Sequence, residues 1–153
     1  MIAGARFGHL NIVARDWKKL AAFYTDLFGC VLVPPERDYA GPILESGTGV
    51  KGSTLQGVHL RLPGLGPDGP TLEIYSYSII KEGPTPAVNR PGFAHLAFIV
   101  DSVRKAHAQV LAAGGKAVGE IVITTPGPGI NITWCYLTDP EGNVIELQST
   151  ERT

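Results

Sequence analysis

The chain repeats itself. Two apolar segments carry a histidine in nearly the same frame, Gly8-His9-Leu10-Asn11-Ile12-Val13 and Ala94-His95-Leu96-Ala97-Phe98-Ile99-Val100. After each histidine come an Asp suited to capping a helix (Asp16, Asp101), a helix-period stretch, and a glycine where that helix should stop (Gly29, Gly114). His9 to Gly29 spans 20 positions and His95 to Gly114 spans 19. Each half then closes on a strand-like segment with one carboxylate among apolar neighbours, Leu72-Glu73-Ile74 and Ile145-Glu146-Leu147. A duplicated unit of half this length buries a core best by pairing with its partner, so one domain of 153 residues is expected.

The periodicity fills in the halves. Trp17, Leu20, Tyr24, Leu27 and Phe28 recur at spacings of three and four, which predicts a helix over 16–28 with one apolar stripe. Val103, Ala106, Val110, Leu111 and Ala113 predict a second over 102–113, with Gly114-Gly115 as its left-handed stop. Strand character runs over 30–33, 55–62, 71–77, 117–123 and 132–137. Each half therefore reads strand, helix, strand, strand, strand: module one over 1–77, a proline-bearing connector over 78–91, and module two over 92–149. The turns Pro63 to Pro70 and Asp139-Pro140-Glu141-Gly142-Asn143 take equivalent places before the last strands. His9 to Glu73 is 64 positions against 51 from His95 to Glu146, and the Gly/Pro-rich stretch Pro34 to Thr54 is expected to hold the excess as a loop over a pocket.

Composition excludes several classes of partner. Lys and Arg number 13 against 14 Asp and Glu, for a net charge of −1, so neither nucleic acid nor an anionic membrane is favoured electrostatically. The apolar runs are strand-sized, so no membrane span is expected. The start Met1-Ile-Ala-Gly-Ala-Arg-Phe lacks a basic region followed by an apolar stretch, so the expectation is no signal peptide and a cytoplasmic location. Cys30 and Cys135, one per half without CxxC spacing, read as small buried apolar residues.

The chemistry lies in the repeated His and Glu. A strand residue points to one face only, so four strands can aim His9, Glu73, His95 and Glu146 at one point. Imidazole nitrogen and carboxylate oxygen suit a divalent ion of intermediate hardness, such as Zn, Ni, Co, Mn or Fe(II), with two positions left open for substrate or water. A lone His in an apolar strand is more often a hydrogen-bonded core residue than a ligand, and that reading is given to His59 and His107. His107, on the second helix among Ala and Gln, is expected at solvent. A Glu inside an apolar strand needs a cation or access to water, and neither strand supplies a Lys or Arg.

These features resemble the vicinal-oxygen-chelate superfamily, the glyoxalase, bleomycin-resistance and extradiol dioxygenase group, over nearly the whole chain. The strongest motif is Leu137-Thr138-Asp139-Pro140-Glu141-Gly142-Asn143-Val144-Ile145-Glu146-Leu147, similar to the last turn and strand of that superfamily. The resemblance implies an α+β fold in which two βαβββ modules form a curved, eight-stranded, open mixed sheet with the helices outside. It implies a metal set of His9, Glu73, His95 and Glu146, most like the glyoxalase I and methylmalonyl-CoA epimerase branch, and a homodimer.

By resemblance the leading function is a metal-dependent lyase or isomerase. It would abstract a proton next to a carbonyl of a small chelating substrate through an enediolate, with Glu146 as first choice of base, Glu73 as second, and Glu45 in the long loop as a further candidate. An Fe(II) extradiol-type dioxygenase is one alternative. A non-catalytic drug-binding module of the bleomycin-resistance kind is another, with Trp134, Tyr75 and Tyr77 lining its groove. Ile74-Tyr75-Ser76-Tyr77-Ser78 stands where glyoxalase I-like chains often place an Asn that holds glutathione, which points to a different substrate.

Overall fold

The computed structural model describes residues 2–152. It contains three helices and nine strands, divided between two compact units, Met1–Glu82 and Gly83–Thr153. The α+β class and the βαβββ order of each half are as the sequence predicts.

In the first unit, strand β1 (His9–Val13) leads into helix α1 (Trp17–Phe28), and then into strand β2 (Val31–Tyr39), a short helix α2 (Pro42–Thr48), and strands β3 (Leu55–Arg61) and β4 (Thr71–Tyr77). The sheet order is β1-β4-β3-β2, with β1 parallel to β4 and the other neighbours antiparallel. Asp16 stands just before α1, its carboxylate accepting the Lys19 N–H at 3.1 Å, and Gly29 ends the helix at φ 67. Trp17, Leu20, Ala21 and Tyr24 are buried on α1, which packs on β3 and β4. Val58, Leu60, Leu72 and Ile74 are 0–1% exposed and alternate along those strands, so they form the helix-facing side. Each such side chain stabilises the fold by about 1.5–3 kcal/mol. Residues of the other parity, among them His9, His59, Glu73 and Tyr75, line the opposite, open face.

The second unit repeats this plan. Strand β5 (Leu96–Ile99) precedes helix α3 (Val103–Ala112), then strands β6 (Lys116–Ala117), β7 (Val122–Gly127), β8 (Ile130–Thr138) and β9 (Val144–Arg152). The order is β5-β9-β8-β6, with β7 also paired to β8 and β5 parallel to β9. Phe98, Val103, Val110, Cys135, Leu137, Ile145 and Leu147 form the core under α3.

Three expectations are corrected. The stretch Pro34 to Thr54 is not one loop: β2 runs on to Tyr39 and α2 follows. Pro34 and Pro35 lack N–H groups and fall where the β2–β3 register shifts, between Val33 and Arg37, but pairing resumes at Arg37 opposite Gly57. Second, the strand expected over 117–123 is broken into β6 and β7, collinear pieces on the same edge of β8, which raises the strand count to nine. Third, the cap of α3 is Ser102, whose hydroxyl accepts the Lys105 N–H at 3.4 Å, rather than Asp101. Cys30 and Cys135 are both free and buried. Among the described residues no helix is long and apolar enough to cross a membrane.

Candidate metal centre

Parity along the strands brings each predicted pair together. In the first unit Asn11, Glu73, His59 and Val33 form one row across β1, β4, β3 and β2. His9 lies two residues before Asn11 on the same face, and its Nδ1 stands 3.4 Å from Glu73 Oε1. In the second unit the equivalent row is Ala97, Glu146 and Tyr136. His95 lies just before β5 rather than within it, and its Nε2 is 2.9 Å from Glu146 Oε2. The Glu73 and Glu146 side chains keep only 11% and 16% of their exposure, against 55% for His9 and 30% for His95. The carboxylates are therefore sunk in the sheet face and the imidazoles sit at its surface.

The ion-pair partners of both carboxylates are imidazoles, with no Lys or Arg in that role among the described residues. A sunken carboxylate beside imidazole nitrogen, without a permanent cation, suits a divalent ion in donor chemistry. The four predicted ligands come as two pairs: among the described residues no group of three or more His, Cys, Asp or Glu side chains gathers as an ion site.

Sequence reasoning made His59 a hydrogen-bonded core residue; the structure gives it that hydrogen bond, to Tyr75, but sets it half-buried beside Glu73. Its Nε2 is 2.6 Å from the Tyr75 hydroxyl and 3.2 Å from Glu73 Oε1, and its Nδ1 is 3.4 Å from Arg37 Nη2. Burial pulls the His59 pKa down, outweighing the charge of Glu73, and Arg37 adds to the lowering. Burial, then the Glu73 charge, pushes Tyr75 up to about 12, so its hydroxyl stays protonated. The missed signal is a hairpin register: with β3 and β4 antiparallel, Arg61 opposite Thr71 puts His59 opposite Glu73. Gly57 makes room for this group. A Cβ there would lie 2.1 Å from the Ile74 carbonyl oxygen and 2.4 Å from Tyr75 Cδ1, so the Tyr75 ring occupies the space a side chain would take.

In the second unit the ring of Tyr136 lies 5.1 Å from that of His95 and 5.3 Å from that of Trp134. Burial, and after it the charge of Glu146, raises the Tyr136 pKa. The turn before β9 is organised by Asp139, only 1% exposed, whose carboxylate accepts from the Glu141 and Asn143 N–H groups at 2.9 and 3.0 Å and from the Asn143 side chain at 2.9 Å. This turn fixes where β9 begins, and with it the position of Glu146. His107 is half-exposed on α3, and Glu45 accepts the Gly52 N–H at 3.1 Å.

A family model of the Glyoxalase/Bleomycin resistance protein/Dioxygenase superfamily matches residues 6–147. The chain belongs to that superfamily. Among solved structures, a glyoxalase family protein from Bacillus cereus superposes with a TM-score of 0.82 at 19% identity, covering 99% of both chains. One from Enterococcus faecalis gives 0.59 at 19% identity over 96% of this chain and 99% of that one. A glyoxalase I mutant from Zea mays gives 0.63 at 21% identity over 94% of this chain and 44% of that one. At these identities the likeness speaks for the fold. No curated protein matches in sequence.

Proposed function

We propose that this superfamily member is a metal-dependent lyase or isomerase that removes a proton next to a carbonyl of a small substrate. The observation that carries the reading is the repeated pair: each unit sets a sunken Glu against a surface His, without a Lys or Arg, on the open face of its sheet. His9, Glu73, His95 and Glu146 would hold the ion, supplied by one chain or by two in a homodimer. When bound, a divalent ion there supplies Lewis acidity that stabilises negative charge on neighbouring substrate oxygens. Glu146 serves as the base, taking the proton from the oxygen-bearing carbon next to the carbonyl, whose electron pair then moves into the carbonyl to leave an enediolate. It suits that task because its contacts are with two rings, that of His95 just before β5 and that of Tyr136 on β8, while Glu73 is held by three side chains. The two imidazoles, 3.4 Å and 2.9 Å away, orient the carboxylates.

A binding-module reading rests on the ring row His95, Tyr136 and Trp134. Protein purified without chelator should carry Ni, Co, Zn, Mn or Fe, and His95→Ala should bind Ni(II), Co(II) and Zn(II) far more weakly than the parent. Unchanged affinity in that variant would sink the ligand set, and ligand capture indifferent to chelators would favour the binding module. Enolisation assays on hemithioacetals and acyl thioesters then narrow the substrate class, and light scattering at micromolar concentration tests the homodimer.

A further inference from the structure

Glu73 is surrounded by donors in a way that its counterpart Glu146 is not. The chain of contacts starts at Arg37, whose guanidinium donates to the Pro35 carbonyl through Nη1 and faces His59 Nδ1 through Nη2 at 3.4 Å. A guanidinium can only donate, so that contact is attractive only when His59 Nδ1 carries a lone pair. The ring proton is then on Nε2, which points at the Tyr75 hydroxyl, 2.6 Å away, and at Glu73 Oε1, 3.2 Å away. With its oxygen accepting from His59, the Tyr75 hydroxyl is free to donate its own proton to Glu73. Every hydrogen bond in the row thus runs toward the carboxylate. A doubly protonated ring would set an N–H against the guanidinium.

We propose that His59, fixed in the Nε2–H tautomer by Arg37, is a positioning residue that locks the Glu73 carboxylate rather than a metal ligand. The proposal rests on the reading of Glu73 as a ligand. Its consequence is a division of labour: Oε1 of Glu73 stands 3.2 Å from His59 Nε2 and 3.4 Å from His9 Nδ1, and a carboxylate held on that side cannot swing away to act as base. His59 has no lone pair left for a metal, since Nδ1 is engaged by Arg37 and Nε2 carries the proton. In the second unit the residue in the place of His59 is Tyr136, and the place of Tyr75 is taken by Gln148. The carboxylate there is the one left able to move a proton.

The test joins two measurements on the full chain. Long-range proton–nitrogen NMR of histidine-labelled protein at neutral pH should show His59 with Nε2 protonated and Nδ1 bare, and Arg37→Met should lose that preference. Ni(II) affinity, read by competition with a chelating dye, should fall about 10- to 100-fold in His59→Leu, as for other residues that orient a ligand. It should be largely restored in His59→Gln, whose amide can again donate. Should His59→Leu not fold, Arg37→Met carries the affinity arm. A bare Nε2 or a doubly protonated ring in the parent overturns the proposal, as does parent-like Ni(II) binding in His59→Leu. A parent that binds neither Ni(II), Co(II) nor Zn(II) overturns the ligand reading instead, and the tautomer then decides the His59 network by itself.

Discussion

Each unit sets one glutamate in the equivalent row of its own sheet, and the two surround it differently. In the first, the strand beside β4 offers His59 and then Gly57, and the space left by the glycine admits the ring of Tyr75. In the second, the strand beside β9 offers Tyr136 and then Trp134, and Gln148 stands where Tyr75 would be. The aromatic side chains therefore come from opposite strands. One carboxylate ends among hydrogen-bond donors, and the other beside a row of tilted and edge-on rings. A duplicated scaffold can keep its backbone plan and still assign its two halves separate chemical tasks, because strand parity fixes which residues share a face but not what those residues are.

The sharpest way to break this comparison is to neutralise each carboxylate in turn. Glu146→Gln should slow solvent-deuterium exchange at the substrate carbon by about 10²–10⁴-fold while keeping part of the metal. Glu73→Gln should act first on metal affinity. Undiminished exchange in Glu146→Gln, with metal occupancy confirmed, would move the base to Glu73 or Glu45.

The packing beneath the two rows should be equivalent. Leu72 and Ile145 precede the two glutamates and are both fully buried, so Leu72→Ala and Ile145→Ala should each cost about 2–5 kcal/mol in urea unfolding. A cost well under that range in one of them would break the equivalence.

The next effects are smaller and belong to one unit each. Gly57→Ala should destabilise by about 1–3 kcal/mol, since the added methyl meets the Ile74 carbonyl and the Tyr75 ring, and it should also disturb the His59 nitrogen signals. Asp139→Ala should cost roughly 1–3 kcal/mol by leaving the turn N–H groups of Glu141 and Asn143 without their acceptor. A thermal melt of either variant that matches the parent would remove the structural role assigned to that residue.

The smallest effect concerns alkaline pH. Burial raises the Cys30 thiol from 9.0 to about 11, so between those values the unfolded chain loses the proton first. The stability associated with the protonated thiol is present below pH 9 and is lost as pH rises through about 11. Comparing Cys30→Ala with the parent in unfolding midpoints from pH 8 upward should show a shallower decline in the variant, and parallel declines would remove Cys30 as the cause.

Much of this was legible in the chain before any coordinates. The repeat, the two long helices with their apolar stripes, and the last strands with Glu73 and Glu146 follow from local periodicity and capping chemistry, because α1 and β4 declare their buried faces residue by residue. The Asp139 turn is equally local, with its acceptor and donors within four residues. The break between β6 and β7 and the continuation of β2 past two prolines were not legible, since both depend on a partner strand that pairs on either side of an interruption.

His59 marks the boundary most clearly. Its own sequence shows only a histidine in an apolar strand, which is equally the signature of a core residue. What makes it a neighbour of Glu73 is the antiparallel register of β3 on β4, and what sets its proton is Arg37, 22 positions away on a third strand. The sequence alone determined which residues are chemically able to bind and which faces they occupy. Tertiary pairing decided which of them touch, because hydrogen-bond direction and register are properties of neighbouring strands and are written in no single one.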